Sequence, residues 1–353
     1  MDRHETALQK LHEGTVIPAL PLALDERREF DPVQQRVLLR YYLNAGAGGI
    51  AAAVHTTQFA IRDPKIALFE PLLALASEEI GRYEEESGRV IVKVAGVCGP
   101  TEQAVREAEI AARYGYDAVL LSPGGLPGYT EDDFVERTRQ VARVLPVIGF
   151  YLQPSVGGRA FSYDYWQKIC GIPNVVAIKS APFNRYQTLE LVRAAALSPR
   201  RDEIALYTGN DDNIVIDLLT EYAFTQDGVT YRKRFVGGLL GHWAVWTRKA
   251  VELYEELKQY RGCGEIPAEL LRRAAEVTDS NSAFFDTANQ FAGCIAGIHE
   301  VLRRQGLMKG IWCLDPEEGL SPGQSEEIDR VYRMYPHLND DDFVRDHLSD
   351  WME

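Results

Sequence analysis

The chain has 353 residues, a formal net charge of −14, 46% hydrophobic and 25% charged residues, and no basic cluster. That composition excludes disorder as the main state and argues against nucleic acid or an anionic membrane as a partner, since both need concentrated Lys and Arg. Its five cysteines are widely spaced with no C-x-x-C pair, so they read as buried thiols of a reducing compartment and suggest neither a disulfide framework nor a metal site.

The opening residues, MDRHETALQKLHEG, form a polar lead without an apolar signal core, and no stretch approaches the roughly 18 apolar residues of a membrane span; the expected location is cytoplasmic. Short apolar runs then alternate with longer amphipathic stretches, as when each buried parallel strand is followed by a covering helix. Eight such runs are Thr15–Leu24, Gly49–Val54, Val90–Val97, Ala118–Ser122, Pro146–Gln153, Val175–Ser180, Ile204–Thr208 and Phe235–Leu240. Helix-start signals stand between them at Asp31-Pro32, in the Thr101–Gln103 region and at Thr130-Glu131-Asp132-Asp133. The predicted fold is α/β, a (β/α)8 TIM barrel with additional C-terminal helices. An open doubly wound sheet is the competing topology, but it calls for a Gly-rich turn where Ala19-Leu20-Pro21-Leu22 stands. The polar stretch 223–234 reads as a surface insertion before the last strand. Beyond Arg261 the pattern is helical only, over Asn281–Gly306 and Ser325–Tyr335, and it ends in the acidic stretch Asn339–Glu353. The expected organisation is a barrel over 1–260 and a helical segment over 261–353 packed on it.

Catalytic groups of such barrels come from the C-terminal ends of the strands, and few reactive residues lie there. Lys179 closes the run Val175–Ile178, where apolar walls favour the free amine, a carbonyl nucleophile; the other reading is a lysine that snorkels to the mouth or pairs with an acid. Lys93 is a rival, but it sits mid-strand and suits an ion pair or a place among the helices. Tyr151 ends the fifth run as either a proton carrier or a packed ring with one satisfied hydroxyl. His55, Thr56 and Thr57 offer hydroxyls and turn amides for a small carboxylate, or a Thr-Thr turn that satisfies only its own backbone. His55 itself reads as a substrate contact, a proton carrier or part of that turn.

Tyr151-Leu152-Gln153-Pro154-Ser155 followed by Val176-Ala177-Ile178-Lys179 resembles the Tyr-Asn-x-Pro and Gly-Ile-Lys segments of the dihydrodipicolinate synthase and N-acetylneuraminate lyase superfamily. The likeness runs from about Gly14 to Tyr335. It implies a class I lyase in which Lys179 forms a Schiff base with pyruvate or a larger 2-oxo acid, Tyr151 transfers protons, and Thr56 and Thr57 bind the carboxylate. It also implies no metal, no organic cofactor and a homo-oligomer, a dimer or tetramer. Gly209-Asn210-Asp211-Asp212 resembles the family's Gly-x-Asp segment, which makes Asp211 and Asp212 candidates for a hydroxyl contact, with a helix start as the alternative. The loop Gly237-Gly238-Leu239-Leu240-Gly241 would bring backbone, including that of Leu240, close to the ligand.

The chain departs from the family's pattern at several of these positions. His55, Gln58 and Phe59 replace the Gly, Gly and Glu around the threonine pair. Val156 stands where dihydrodipicolinate synthases place an arginine for the aldehyde's carboxylate, which argues against that activity. Pro123-Gly124-Gly125 lacks the tyrosine of the shared proton relay, and Tyr129 does not align with it, so the relay is either absent or replaced by His55 or His242. Dehydration of a 2-keto-3-deoxy sugar acid through the same imine, and a non-catalytic 2-oxo-acid-binding paralogue, are the competing functions.

Overall fold

The computed structural model describes residues 2–353. Eight parallel strands are laid down in chain order at Val16–Pro18, Gly49–Ala52, Val92–Val97, Ala118–Leu121, Val147–Leu152, Val175–Ala181, Ala205–Thr208 and Phe235–Leu240. From the second strand to the eighth each pairs with its sequence neighbour, and the eighth pairs with the first. Closure between the first two strands comes from Gly48 N–H donating to the Val16 carbonyl (3.0 Å) and Leu20 N–H to the Ala51 carbonyl (2.8 Å). The expected (β/α)8 barrel is therefore present, with helices outside it and further helices after it.

The predicted starts and ends differ from the observed ones where burial, not strand pairing, made the run apolar. The first strand is only Val16–Pro18, and Leu20 to Leu24 are buried without strand geometry. Helix Pro32–Ala45 starts as expected, with the Asp31 side chain accepting from Gln34 N–H, and Thr130 and Asp133 form a capping box. Thr101 is instead the first residue of its helix, behind Pro100, and caps nothing. The polar insertion is an antiparallel hairpin of Tyr222–Gln226 with Val229–Lys233.

Two segments pack more deeply than their polar sequences suggest. The lead forms helix Arg3–Glu13, whose Ala7 and Leu11 join Ile17, Ala177 and Tyr207 in the cluster filling the barrel interior. The acidic end forms helix Asp341–Met352, which buries Val344 and Trp351. Asp340 accepts from the Tyr41 hydroxyl at 2.8 Å, tying that end to the first long helix. All five cysteines are free; Cys170, Cys294 and Cys313 are buried and Cys98 half-buried, but Cys263 is exposed, contrary to the reading that all are buried. No helix among the described residues is long and apolar enough to cross a membrane.

Candidate active site

Side chains alternate along a strand, so the barrel interior and the layer against the helices are filled by alternate residues. On the fifth strand Ile148, Phe150 and Leu152 belong to the interior cluster, while Val147 and Tyr151 belong to the outer one. On the sixth, Lys179 pairs in register with Phe150 on one side and Tyr207 on the other. Its ammonium lies 4.5 Å from the centre of the Phe150 ring. Gly209 makes room for it: a Cβ there would lie 2.4 Å from the Lys179 Cε.

Lys179 lines a cavity of about 600 Å³ with Val54, His55, Thr56, Gln153 and Asp211 among its neighbours. Burial pushes the Lys179 pKa down, and the Asp211 charge works against that shift. Burial raises the Asp211 pKa, while the backbone N–H of His242 (2.8 Å) and the Lys179 charge oppose the rise. The pair thus brings an amine and a carboxyl group, each with its charged form disfavoured by burial, into one enclosure. His55 begins a short 3₁₀ turn, His55–Thr57, and burial, then the Lys179 charge, push its pKa down to about 4. It is therefore neutral at pH 7.

Other expected site residues are placed elsewhere. Tyr151 is 1% exposed and faces the helices; its ring lies 5.0 Å from Trp166 and 5.9 Å from Phe161, and its hydroxyl accepts from Phe161 N–H at 3.3 Å. It does not line the cavity, and Phe150 occupies the inward position beside Lys179. Thr57 is turned away as well, its hydroxyl donating to the Leu20 carbonyl at 2.6 Å and accepting from Val54 N–H at 3.2 Å. Leu240 packs in the outer layer, and Gly241 rather than Leu240 meets the cavity. Asp212 does not line it. Lys93, the rival lysine, donates to the Ser77 hydroxyl at 3.1 Å among the helices. Tyr129 accepts from Thr101 N–H, and His242 is buried against Phe284 with its ring beside the Asn281 amide, so neither side chain enters the Lys179 cavity.

Sequence reasoning missed the aromatic and C-terminal contributions. Phe150, Phe183, Phe285, Phe291 and Cys294 all line the cavity, three of them from beyond residue 261. The C-terminal helices are thus part of the site. The Phe-Phe pair at 284–285 and Phe291 stand in a segment read only as a helix beyond the barrel, with nothing in its sequence to connect it to the strand ends. A second cavity, about 440 Å³, lies between helices and is lined by Leu218, Trp243, Trp246 and Leu253; it contains neither Lys179 nor Asp211. No group of three or more His, Cys, Asp or Glu side chains suited to a metal ion occurs among the described residues.

No family model matches the chain. An N-acetylneuraminate lyase of Citrobacter koseri is 25% identical over 58% of this chain and 65% of that protein. The chain thus spans just under two thirds of that relative. A 4-hydroxy-tetrahydrodipicolinate synthase of Clostridium novyi is 32% identical over 33% of this chain and 38% of that protein. Among solved structures, dihydrodipicolinate synthase from Oceanobacillus iheyensis superposes with a TM-score of 0.73 at 19% identity, covering 95% of this chain and all (100%) of that one. A prophage protein of the dihydrodipicolinic acid synthase family from E. coli K12, crystallised with pyruvate, gives 0.72 at 14% identity over 92% of this chain and 98% of its own. These relatives and structural neighbours carry the names of dihydrodipicolinate synthases and N-acetylneuraminate lyases, and the superpositions, at under 25% identity, show the shared fold.

Proposed function

We propose that this divergent relative of the dihydrodipicolinate synthases and N-acetylneuraminate lyases is a class I, Schiff-base-forming lyase of the aldolase type, acting on pyruvate or a larger 2-oxo acid through Lys179. The observation that carries the reading is the buried Lys179 amine beside the Asp211 carboxyl in the strand-end cavity. Relatives named as lyases and synthases support the same class.

The neutral amine of Lys179 attacks the ketone carbon, the carbinolamine loses water, and the protonated imine draws electrons from the adjacent carbon. A proton then leaves that carbon, and the resulting enamine attacks an aldehyde; cleavage is the reverse. Proton transfer falls to Asp211, which shares the cavity with the amine and whose raised pKa suits a group that takes and returns protons near neutrality. Neutral His55 accepts or donates one hydrogen bond, and Thr56 with the amides of its turn holds the substrate carboxylate. Tyr151, packed against the helices, supports the wall that carries Phe150. A homo-oligomer belongs to the same proposal and is checked by light scattering on the purified protein.

The test follows the methyl protons of pyruvate in deuterated buffer by NMR, because exchange requires both the imine and a base. Wild type is expected to exchange them, and Lys179→Met to lose exchange. Equal exchange in the two proteins would refute the assignment.

A further inference from the structure

The cavity combines a small polar region with unusually aromatic surroundings. Its polar side chains are His55, Thr56, Gln153, Lys179 and Asp211, and among the described lining residues Lys179 is the single Lys or Arg. Facing this group are Phe150, Phe183, Phe285 and Phe291, with Leu152 and Val156 beside them. A polyol bound here would lose hydrogen bonds to water against phenyl faces that cannot replace them, and a second carboxylate would find no further Lys or Arg.

The phenylalanines at the mouth are held in place by backbone that few residues adopt. Phe183 has φ 51° and Phe291 φ 68°, both left-handed, where a bulky residue is strained. Two separate networks impose this. Phe183 N–H donates to the Asn210 side-chain oxygen at 3.1 Å, and Asn210 is fixed by its amide donating to the buried Asp217 carboxylate at 3.0 Å. The Phe291 loop turns on Asp286, whose carboxylate accepts from Gly293 N–H at 3.0 Å, from the Asn289 amide at 2.7 Å and from the Ser321 hydroxyl at 2.5 Å. Two independently anchored loops thereby meet, and the two rings lie edge to face with centres 5.9 Å apart. Both rings are partly buried, Phe183 against the interior cluster and Phe291 against the outer one, and both line the cavity.

We propose that this pair, with Phe150 and Phe285, forms a slot for a flat apolar group, so that the aldehyde partner is an aryl aldehyde rather than a sugar or a carboxylated aldehyde. The chemistry of the step rests on the Lys179 imine proposed above; the selectivity rests on the phenylalanines. The enamine electron pair at C3 of the pyruvate unit forms the bond to the aldehyde carbon, and the aldehyde oxygen takes a proton. Water then hydrolyses the imine, releasing Lys179 and a 4-aryl-4-hydroxy-2-oxobutanoate. No oxidant or reductant enters.

Trans-cinnamate and glycerate test the slot apart from the imine, because neither has a ketone. The carboxylate is common to both, and cinnamate carries a phenyl group on a planar, unsaturated chain where glycerate carries two hydroxyls. Measured by equilibrium dialysis against the full chain, cinnamate is expected to bind roughly tenfold or more tightly than glycerate, and Phe291→Ser or Phe183→Ser to remove most of that ratio. Equal affinities in wild type, or a ratio unchanged in both folded variants, would overturn the proposal. A cinnamate preference in a protein that fails to exchange pyruvate protons would sustain the slot and overturn the imine.

Discussion

Lys179, Phe150 and Tyr151 show how much a single step along a strand decides. The motif spacing points to Tyr151, and an alternating polar pattern would have revealed which of its neighbours faces the cavity. The run Val147–Leu152 is buried on both faces, however, so it carries no such pattern, and Phe150 and Tyr151 are equally compatible with either side. The place of Lys179 in the cavity was legible because it closes an apolar run at a strand end, whereas Lys93, also in an apolar run, lies mid-strand and points among the helices. Asp211 was legible only as a hydroxyl contact, since its place beside Lys179 depends on how the seventh strand ends. Tyr151→Phe should therefore leave pyruvate exchange nearly unchanged while the lost hydrogen bond costs about 1 kcal/mol of stability. Asp211→Asn should slow exchange by roughly 10²-fold or more with the fold intact, and comparison of the two by NMR separates the roles. The pH dependence of stability offers another check. The raised pKa of Asp211 means that the native state binds more protons than the unfolded chain between the ordinary carboxylate range and the raised value. Stability from this group is present at low pH and declines as pH rises through that window. Thermal melts from acid to neutral pH should show a shallower decline in Asp211→Asn than in wild type.

Strand ends and the turns after them place the site, and here small residues matter through the space they leave. Gly209 is read from sequence as the start of a Gly-x-Asp segment, but its physical role is to let the Lys179 stem pass. Gly209→Ala would set a methyl 2.4 Å from the Lys179 Cε and displace it, so exchange should fall at least about tenfold while circular dichroism stays that of the wild type. The 3₁₀ turn His55–Thr57 divides its residues between two duties. Thr57 ties the turn to the Leu20 carbonyl, and Thr56 is left for the cavity. Sequence could not divide the pair, because two adjacent threonines have the same chemistry and differ only in the direction the turn gives them. The segment 286–293 was invisible for a different reason: of its left-handed residues Asp286, Gln290 and Phe291, only the aspartate is of a type that announces such a turn.

At the scale of the whole molecule, the barrel was legible from eight apolar runs, and what covers its ends was not. Helix Arg3–Glu13 carries two fully interior residues, Ala7 and Leu11, in a segment of mostly charged and polar residues, too few to read as a buried face. It nevertheless packs into the interior cluster, and the Tyr207 hydroxyl donates to the Leu11 carbonyl at 2.7 Å. Leu11→Ala should cost about 2–5 kcal/mol by chemical denaturation, a core-sized penalty from a residue that looks peripheral in sequence. The segment after the barrel lends Phe285, Phe291 and Cys294 to the cavity, so the site is not assembled from the barrel alone.

The proposal that Lys179 is the nucleophile is tested most directly by reduction with borohydride in the presence of pyruvate, followed by peptide mapping. One pyruvate-derived adduct should appear on Lys179 and on no other lysine, and its rate of formation should reach half its maximum well below the ~10.4 of a free lysine, since burial depresses the pKa of this one. An adduct on Lys93, or none on any lysine across a range of 2-oxo acids, would contradict it.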